Sequence, residues 1–281
     1  MSRHQMTRLQ IDAFCTALQA SEHSPNTIQK YRRDLSAFYA WLPPEKQVDK
    51  ELVLSYKAEK IQQYATSSLN SMLAALRSFF NHMEWYDCNV KLLKVQRRIF
   101  TPKEQELSRS EYERLVTTAE TRGKLRLSLL LQIMASTGIR VSEIPYITVE
   151  AVKKGKAEIS LKGKIRVVWL PGKLCRKLLK YARKAHITSG AIMCTRQGRA
   201  LNRKEIWVQM KSLCRAAEVD AQKVFPHNLR HLFARLYYTA QHDIVKLADL
   251  LGHSNVETTR IYLRTNGEEH LHSIEQLGLI C

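Results

Sequence analysis

Apolar residues return at helical spacing through the first ninety positions of the chain, and four helices are predicted there. The clearest run follows Ser24-Pro25-Asn26-Thr27. Ile28, Tyr31, Leu35, Phe38, Tyr39 and Leu42 share one face, and Pro43-Pro44 stops it. A second stripe follows Thr66, with Leu69, Met72, Leu73, Leu76, Phe79, Phe80 and Met83. Weaker patterns cover 5–20 and 48–63. Aromatics at this spacing read as core, and they form no catalytic cluster. The pattern lapses over 91–106, where Lys91, Lys94, Arg97, Arg98 and Lys103 are spread around Thr101-Pro102. That segment reads as a linker, either a solvated tether or a strap along a phosphate backbone.

Beyond it, Ser108 and Glu111 have the spacing of a capping box, and a helix is predicted over 109–121. An apolar helix over 125–136 ends at Thr137-Gly138, where glycine supplies a left-handed turn. Between 156 and 170 the period changes to two. Ile159 and Leu161 alternate with Glu158, Ser160 and Lys162; after a tight Gly163-Lys164 turn, Val167 and Trp169 alternate with Arg166 and Val168. This is a short β-hairpin, bounded by Pro171-Gly172. Helical patterns resume to the end, so the predicted class is mainly α with one small hairpin.

Charge adds a partner. The 281 residues hold 45 Lys and Arg against 26 Asp and Glu, a formal net charge of +19. A compact surface that repels itself this strongly implies a polyanion to neutralise it, nucleic acid first and an anionic membrane surface second. Both parts of the chain are basic: residues 1–100 carry 14 Lys and Arg against 9 Asp and Glu, and the remainder 31 against 17. Six cysteines (Cys15, Cys88, Cys175, Cys194, Cys214, Cys281) form no CxxC pair and have no histidine at metal spacing. Zinc and a disulfide framework are not expected, and a reducing cytosol is. The start, MSRHQMTRLQ, lacks the apolar core of a signal peptide, and no run reaches the ~18 apolar residues of a membrane span.

Three short stretches offer chemistry. In Pro226-His227-Asn228-Leu229-Arg230-His231, proline suits a first helical turn, and His227 and Arg230 share a face that suits an anion. Such a histidine can equally cap or pack. In Leu251-Gly252-His253, glycine closes one helix, while Ser254 and Glu257 open another. That leaves His253 in the joint and Tyr262 about two turns on, ~12 Å along the axis. A lone tyrosine there is ordinarily a packing residue. Ser136-Thr137-Gly138-Ile139-Arg140 places an arginine just past a glycine turn, either a surface charge or a site cation. Glu143 is its ion-pair partner or an acceptor for nearby backbone.

In chain order, Arg140, the hairpin lysine Lys162, His227-x-x-Arg230, Leu251-Gly252-His253 and then Tyr262 resemble the tyrosine recombinase (phage integrase) family, Xer-type members in particular. Ser24-Pro25-Asn26-Thr27, Tyr31, Asp34-Leu35, Phe38 and Trp41-Leu42 are similar to the family's core-binding domain, so the resemblance spans nearly the whole chain. It implies a two-domain clamp on duplex DNA. Residues 1–90 would be the helical, SAM-like core-binding domain, 91–106 the basic linker, and 107–281 the catalytic domain with a C-terminal docking tail. It also implies site-specific cutting and rejoining of DNA through a 3′-phosphotyrosine, in integration, excision or dimer resolution. Tyr262 would be the nucleophile, Arg140 and Arg230 the clamp on the scissile phosphate, and Lys162 the general acid for the 5′-oxygen. His227 would handle the tyrosine proton, and His253 would hydrogen-bond a phosphate oxygen.

Elementary chemistry agrees with these roles. Guanidinium forks match phosphate oxygens bidentately, which lysine cannot do. The chain offers no acidic cluster suited to magnesium, and a covalent intermediate stores the bond energy, so no metal ion, ATP or other cofactor is expected. The hairpin turn departs from the family's usual Gly-Lys-Gly-x-Lys by being one residue shorter, which leaves Lys164, at the turn tip, as the alternative general acid. The resemblance further implies double-stranded DNA and three further copies in a homotetramer on it as partners, with a monomer or weak oligomer when free. A second recombinase or accessory protein is a further possible partner, and no membrane is expected. The tail 268–281 has Leu271, Ile274 and Leu277 at helical spacing, and is expected to dock on a neighbouring protomer or on its own domain. A type IB topoisomerase-like enzyme and a DNA-binding relative without catalysis are the other functional readings.

Overall fold

The computed structural model describes residues 3–94, 106–161, 164–195, 197–253, 255–260 and 262. The chain divides into two compact units, Met1–Arg97 and Arg98–Cys281. It is mainly helical, with two small antiparallel sheets among the described residues. No described helix is long and apolar enough to cross a membrane.

The first unit runs β1 (His4–Gln5), α1 (Arg8–Ala20), α2 (Pro25–Trp41), β2 (Gln47–Val48), α3 (Lys50–Ile61) and α4 (Thr66–His82). Side chains stop fraying at three helix starts. Thr7 and Gln10 cap each other's backbone at α1, Ser24 accepts from Thr27 N at α2 with Pro25 next to it, and Asp49 accepts from Leu52 N at α3. The stripes read from the sequence are the core: Leu35, Phe38 and Leu42 meet Leu69, Leu73, Leu76, Phe79 and Phe80. The two-residue β1–β2 pairing lies outside what periodicity can detect, since two residues carry no period.

The second unit runs α5 (Arg109–Thr121), α6 (Leu125–Thr137), α7 (Val149–Lys154), β3 (Lys156–Leu161), β4 (Lys164–Trp169), α8 (Gly172–Lys184), α9 (Arg203–Lys211), α10 (Cys214–Ala217), α11 (Pro226–Gln241), α12 (Ile244–Leu251) and α13 (Val256–Arg260). α6 is buried on most sides, with Leu127, Leu129, Leu130, Leu131, Ile133 and Met134 all in the core. Such an all-round apolar helix belongs at a domain's centre. It ends at Gly138, whose φ is +61°. A Cβ at Gly138 would lie 2.5 Å from Phe233 Cδ1 and 2.9 Å from Leu251 Cδ2. Glycine therefore lets α11 and α12 close on the end of α6, and the candidate site sits at that junction.

Two details depart from the sequence expectation. Lys164 already pairs with Leu161 in the β3–β4 ladder, so it belongs to β4 and not to the turn tip. α13 ends at Arg260, and Tyr262 follows it in a 3-10 turn instead of lying two turns inside a helix. Lys162, Gly163, Ser254, most of the 91–106 linker and the 268–281 tail lie outside the described residues.

Candidate active site

Arg140 opens the 3-10 turn Val141–Tyr146 that follows the Gly138 corner. Its backbone N donates to Glu143 Oε2 at 2.8 Å and its Nη1 to Glu143 Oε1 at 3.1 Å. The Glu143 carboxylate is buried, whereas the Arg140 side chain is 41% exposed. Arg140 is therefore held to Glu143 by its backbone and by one guanidinium nitrogen while staying partly open to solvent, a geometry that suits an incoming anion. Glu143 is both alternatives considered for it at once, ion-pair partner and backbone acceptor.

Arg230, on α11, is the opposite case, only 1% exposed. Nη1 donates to Gly138 O at 2.6 Å, and Nη2 donates to Leu251 O at 2.7 Å. Both carbonyls belong to helix ends, where backbone acceptors lack intrahelical partners and the dipole is negative. These bonds offset the cost of burying a cation. Burial pushes the Arg230 guanidinium below its ordinary value, with Arg140 adding to the effect, while the Tyr262 phenol works the other way.

His253 sits between α12 and α13, held by Gly252 in its left-handed cap at φ +64°. Its Nε2 lies 2.8 Å from Arg230 Nη2 and its Nδ1 lies 2.8 Å from Thr259 Oγ1. A guanidinium only donates, so Nε2 accepts and the ring proton is assigned to Nδ1, which donates to Thr259. Burial, then Arg230, Arg140 and Arg166, push His253 down to about 4, so the ring is neutral at pH 7.

Tyr262 closes the group, 6% exposed, within a small apolar cluster with Ala234, Leu247 and Leu251. Its ring stacks on His253 with centroids 5.5 Å apart and planes 14° apart. His227 and His231 lie at 5.5 Å and 4.3 Å, and Arg230 Cζ at 6.0 Å from the ring centre. His227 is exposed on its outer side and packs against His231 on the inner. It is held below its ordinary value by lost solvation, then by Arg230 and Arg140. His231 is driven down to about 4, again by burial first and by His227 next.

The structure thus brings Arg140, His227, Arg230, His253 and Tyr262 together from segments more than a hundred residues apart, while Lys162 lies outside the described residues. Sequence reasoning passed over three neighbours. His231 stood next to Arg230 in the same stretch and carried no role. Thr259 gave no signal. Arg166 was read only as a polar alternate of the hairpin. It is in fact turned inward, with Nη2 donating to Glu143 Oε2 at 3.0 Å.

A different trio, His4, Asp87 and Cys88 in the first unit, places its donor atoms within 4.8 Å of one another. His4 is already paired with Asp87 and stacked on Trp85, and burial pushes the Cys88 thiol up to about 12. That is a local hydrogen-bonded pair beside a protonated thiol, a poor set for a metal ion.

Compared with known proteins, residues 105–269 match the phage integrase family, and residues 11–85 match the phage integrase N-terminal SAM-like domain. The chain belongs to the phage integrase family. This integrase-family chain is 29% identical to tyrosine recombinase XerC of Roseiflexus castenholzii, across 92% of its own length and 90% of the relative's. It is 28% identical to tyrosine recombinase XerA of Pyrococcus horikoshii, across 96% and 94%. Its fold is shared with the XerH site-specific recombinase bound to a palindromic difH substrate in a post-cleavage complex. That match has a TM-score of 0.74 and 20% identity over 96% of this chain and 85% of that one. It is shared too with a lambda integrase tetramer bound to a Holliday junction, at a TM-score of 0.73 and 16% identity over 90% and 76%.

Proposed function

We propose that Tyr262 is the nucleophile of this recombinase and attacks within its own protomer. The chain is a site-specific DNA recombinase, cutting and rejoining DNA strands. The observation that carries the assignment is the Tyr262 ring stacked on His253, with Arg230 Cζ 6.0 Å from its centre.

In this reading, Tyr262 Oη bonds to the scissile phosphorus and the P–O5′ bond breaks. The phenol proton passes to His227, which is neutral at pH 7 and so able to accept it. Lys162 gives a proton to the departing O5′. Arg140, open to solvent, and Arg230, fixed by Gly138 and Leu251, take the charge that builds on the non-bridging oxygens. His253 meanwhile holds Arg230 and, once the anion takes over the guanidinium, moves its proton to Nε2 to donate to a phosphate oxygen, the Thr259 hydroxyl then donating to Nδ1. Attack by a 5′-hydroxyl on the phosphotyrosine reverses each transfer and reseals the strand. No metal ion, cofactor or ATP enters these steps.

Double-stranded DNA is the substrate, and four protomers assemble on two duplexes, with a second recombinase or accessory protein as a further partner. Residues 1–90 act as the core-binding domain, 91–106 as the basic linker and 107–281 as the catalytic domain, whose 268–281 tail docks on a neighbour. Deleting 268–281 tests that docking, since tetramers that still assemble speak against it. We place the work in the cytoplasm, consistent with the free thiols of Cys15, Cys88, Cys175, Cys194 and Cys214.

The test is a suicide DNA substrate that traps the covalent intermediate. The native protein gives a 3′-phosphotyrosine adduct, and Tyr262→Phe gives none. An undiminished adduct from the variant ends the assignment. Supercoil relaxation by a monomer without a defined site would favour the topoisomerase-like alternative.

A further inference from the structure

One inward-turned, mostly covered cation of the catalytic unit has no part in the steps above. Arg166 enters from β4, where Nη1 donates to Leu250 O at 3.3 Å and to Leu251 O, and Nη2 donates to Glu143 Oε2 at 3.0 Å. Leu251 O is the acceptor for Arg230 Nη2 as well. One carbonyl at the end of α12 therefore holds two guanidiniums, one from the hairpin and one from the phosphate clamp. Glu143 repeats the arrangement, joining Arg166 to Arg140. Gly252 makes the approach possible, because a Cβ there would lie 2.5 Å from Arg166 Cδ.

An arginine pointing inward from a strand costs free energy that packing alone does not return. The hairpin needs such a fastening. Its outer face leaves Ile165 and Trp169 exposed, and two strands alone are marginally stable. A general acid at the turn must stay within hydrogen-bond reach of the leaving oxygen, so a loose hairpin would blunt it.

We propose that Arg166 is a positioning residue, pinning β4 to Leu251 and Glu143 and so setting where the hairpin turn and Lys162 stand relative to the Arg140–Arg230 clamp. The inference rests on the reading of Lys162 as general acid. Lysine at 166 cannot replace arginine, because a point charge cannot span Leu251 and Glu143 together.

Single-turnover cleavage of two suicide substrates tests this, one with the natural 5′-bridging oxygen and one with sulfur in its place. With oxygen, the electron pair of the broken bond goes to O5′, which takes the lysine proton. With sulfur, the pair stays on a thiolate that leaves unprotonated, so no general acid is needed. Arg166→Lys and Arg166→Gln are expected to lose ~10²-fold on oxygen, as for a misplacement of about 1 Å, and to cleave the sulfur substrate within about threefold of the native rate. Melting curves of both variants establish that they fold, and Arg166→Lys keeps the charge in place.

Equal losses on both substrates would mean that Arg166 supports the clamp or the nucleophile instead, and overturn the proposal. So would native rates on oxygen. Lys162→Ala is run alongside. If sulfur rescues Lys162→Ala but not the Arg166 variants, only the positioning role fails. If sulfur does not rescue Lys162→Ala, the general-acid reading fails and takes this proposal with it.

Discussion

Arg230 Nη2 stands 2.8 Å from His253 Nε2, donor to acceptor, so the buried arginine and the joint histidine fix each other. The relation reaches one residue further, because the same imidazole gives its Nδ1 proton to the buried hydroxyl of Thr259.

Thr259→Val removes that acceptor and keeps the shape. The expected result is a His253 ring that keeps the Nδ1–H tautomer set by Arg230 but leaves that proton without its acceptor, and a cleavage rate ~10-fold lower, matching one net hydrogen bond. Nitrogen NMR of the ring and single-turnover cleavage read the two effects. A native His253 protonated on Nε2 in free protein contradicts the assignment.

Arg140 and Arg230 should separate stability from rate. Arg140 is partly open and Arg230 is buried on two helix-end carbonyls. Arg140→Ala is expected to cut cleavage ~10²–10³-fold while changing stability by less than ~1 kcal/mol. Arg230→Ala should lose rate similarly and also cost ~2–4 kcal/mol in a denaturant titration, since Gly138 and Leu251 carbonyls and the Glu143 carboxylate lose cationic company. Equal stability of the two variants would count against the burial argument.

Acid should destabilise the catalytic unit over a defined window. Folded His231 and His253 are both held down to about 4, burial first, whereas an unfolded histidine titrates near ~6.5. Above ~6.5 neither state binds the proton and the full stability is present. As pH falls from there towards about 4, the unfolded chain takes up protons that the folded one refuses, so stability drops, and then levels off. Melting temperatures across this range should fall less steeply for His231→Gln, and an unchanged slope would remove His231 from the account.

Gly138→Ala tests the junction itself. The added methyl group would meet Phe233 and Leu251 at 2.5 Å and 2.9 Å on a backbone at φ +61°. A loss of ~2–4 kcal/mol is expected from strain and overpacking together, read from chemical unfolding. Cleavage should fall as well, because Arg230 loses a carbonyl in register. A variant as stable as the native protein would show that α11 and α12 have room to part.

The helices were legible because their signals are local. Ser24 with Pro25 and Ser108 with Glu111 each mark a start within a few residues, and the stripes from Ile28 to Leu42 and Leu69 to Met83 became core as read. The site was legible in another way. Five of its residues were named from motif order, although no single motif separated a catalytic histidine or tyrosine from a packing one. His231 and Thr259 could not be named, since their significance lies only in what folds against them.

The amino-acid order by itself determined the mainly helical class, the basic partner surface, the glycine corners at Gly138 and Gly252 and the identity of the chemical groups. The class and the glycine corners follow from spacing along a few turns, the charge from composition, and the chemical groups from motif order. The tertiary structure alone decided which way the hairpin faces. Val167 and Val168 are both apolar, so a period of two offers either side, yet Val168 is 3% exposed and Trp169 64%. Arg166 settles the choice by reaching Glu143, 23 residues back, and Leu251, 85 residues on, because a buried guanidinium must find acceptors wherever the fold supplies them.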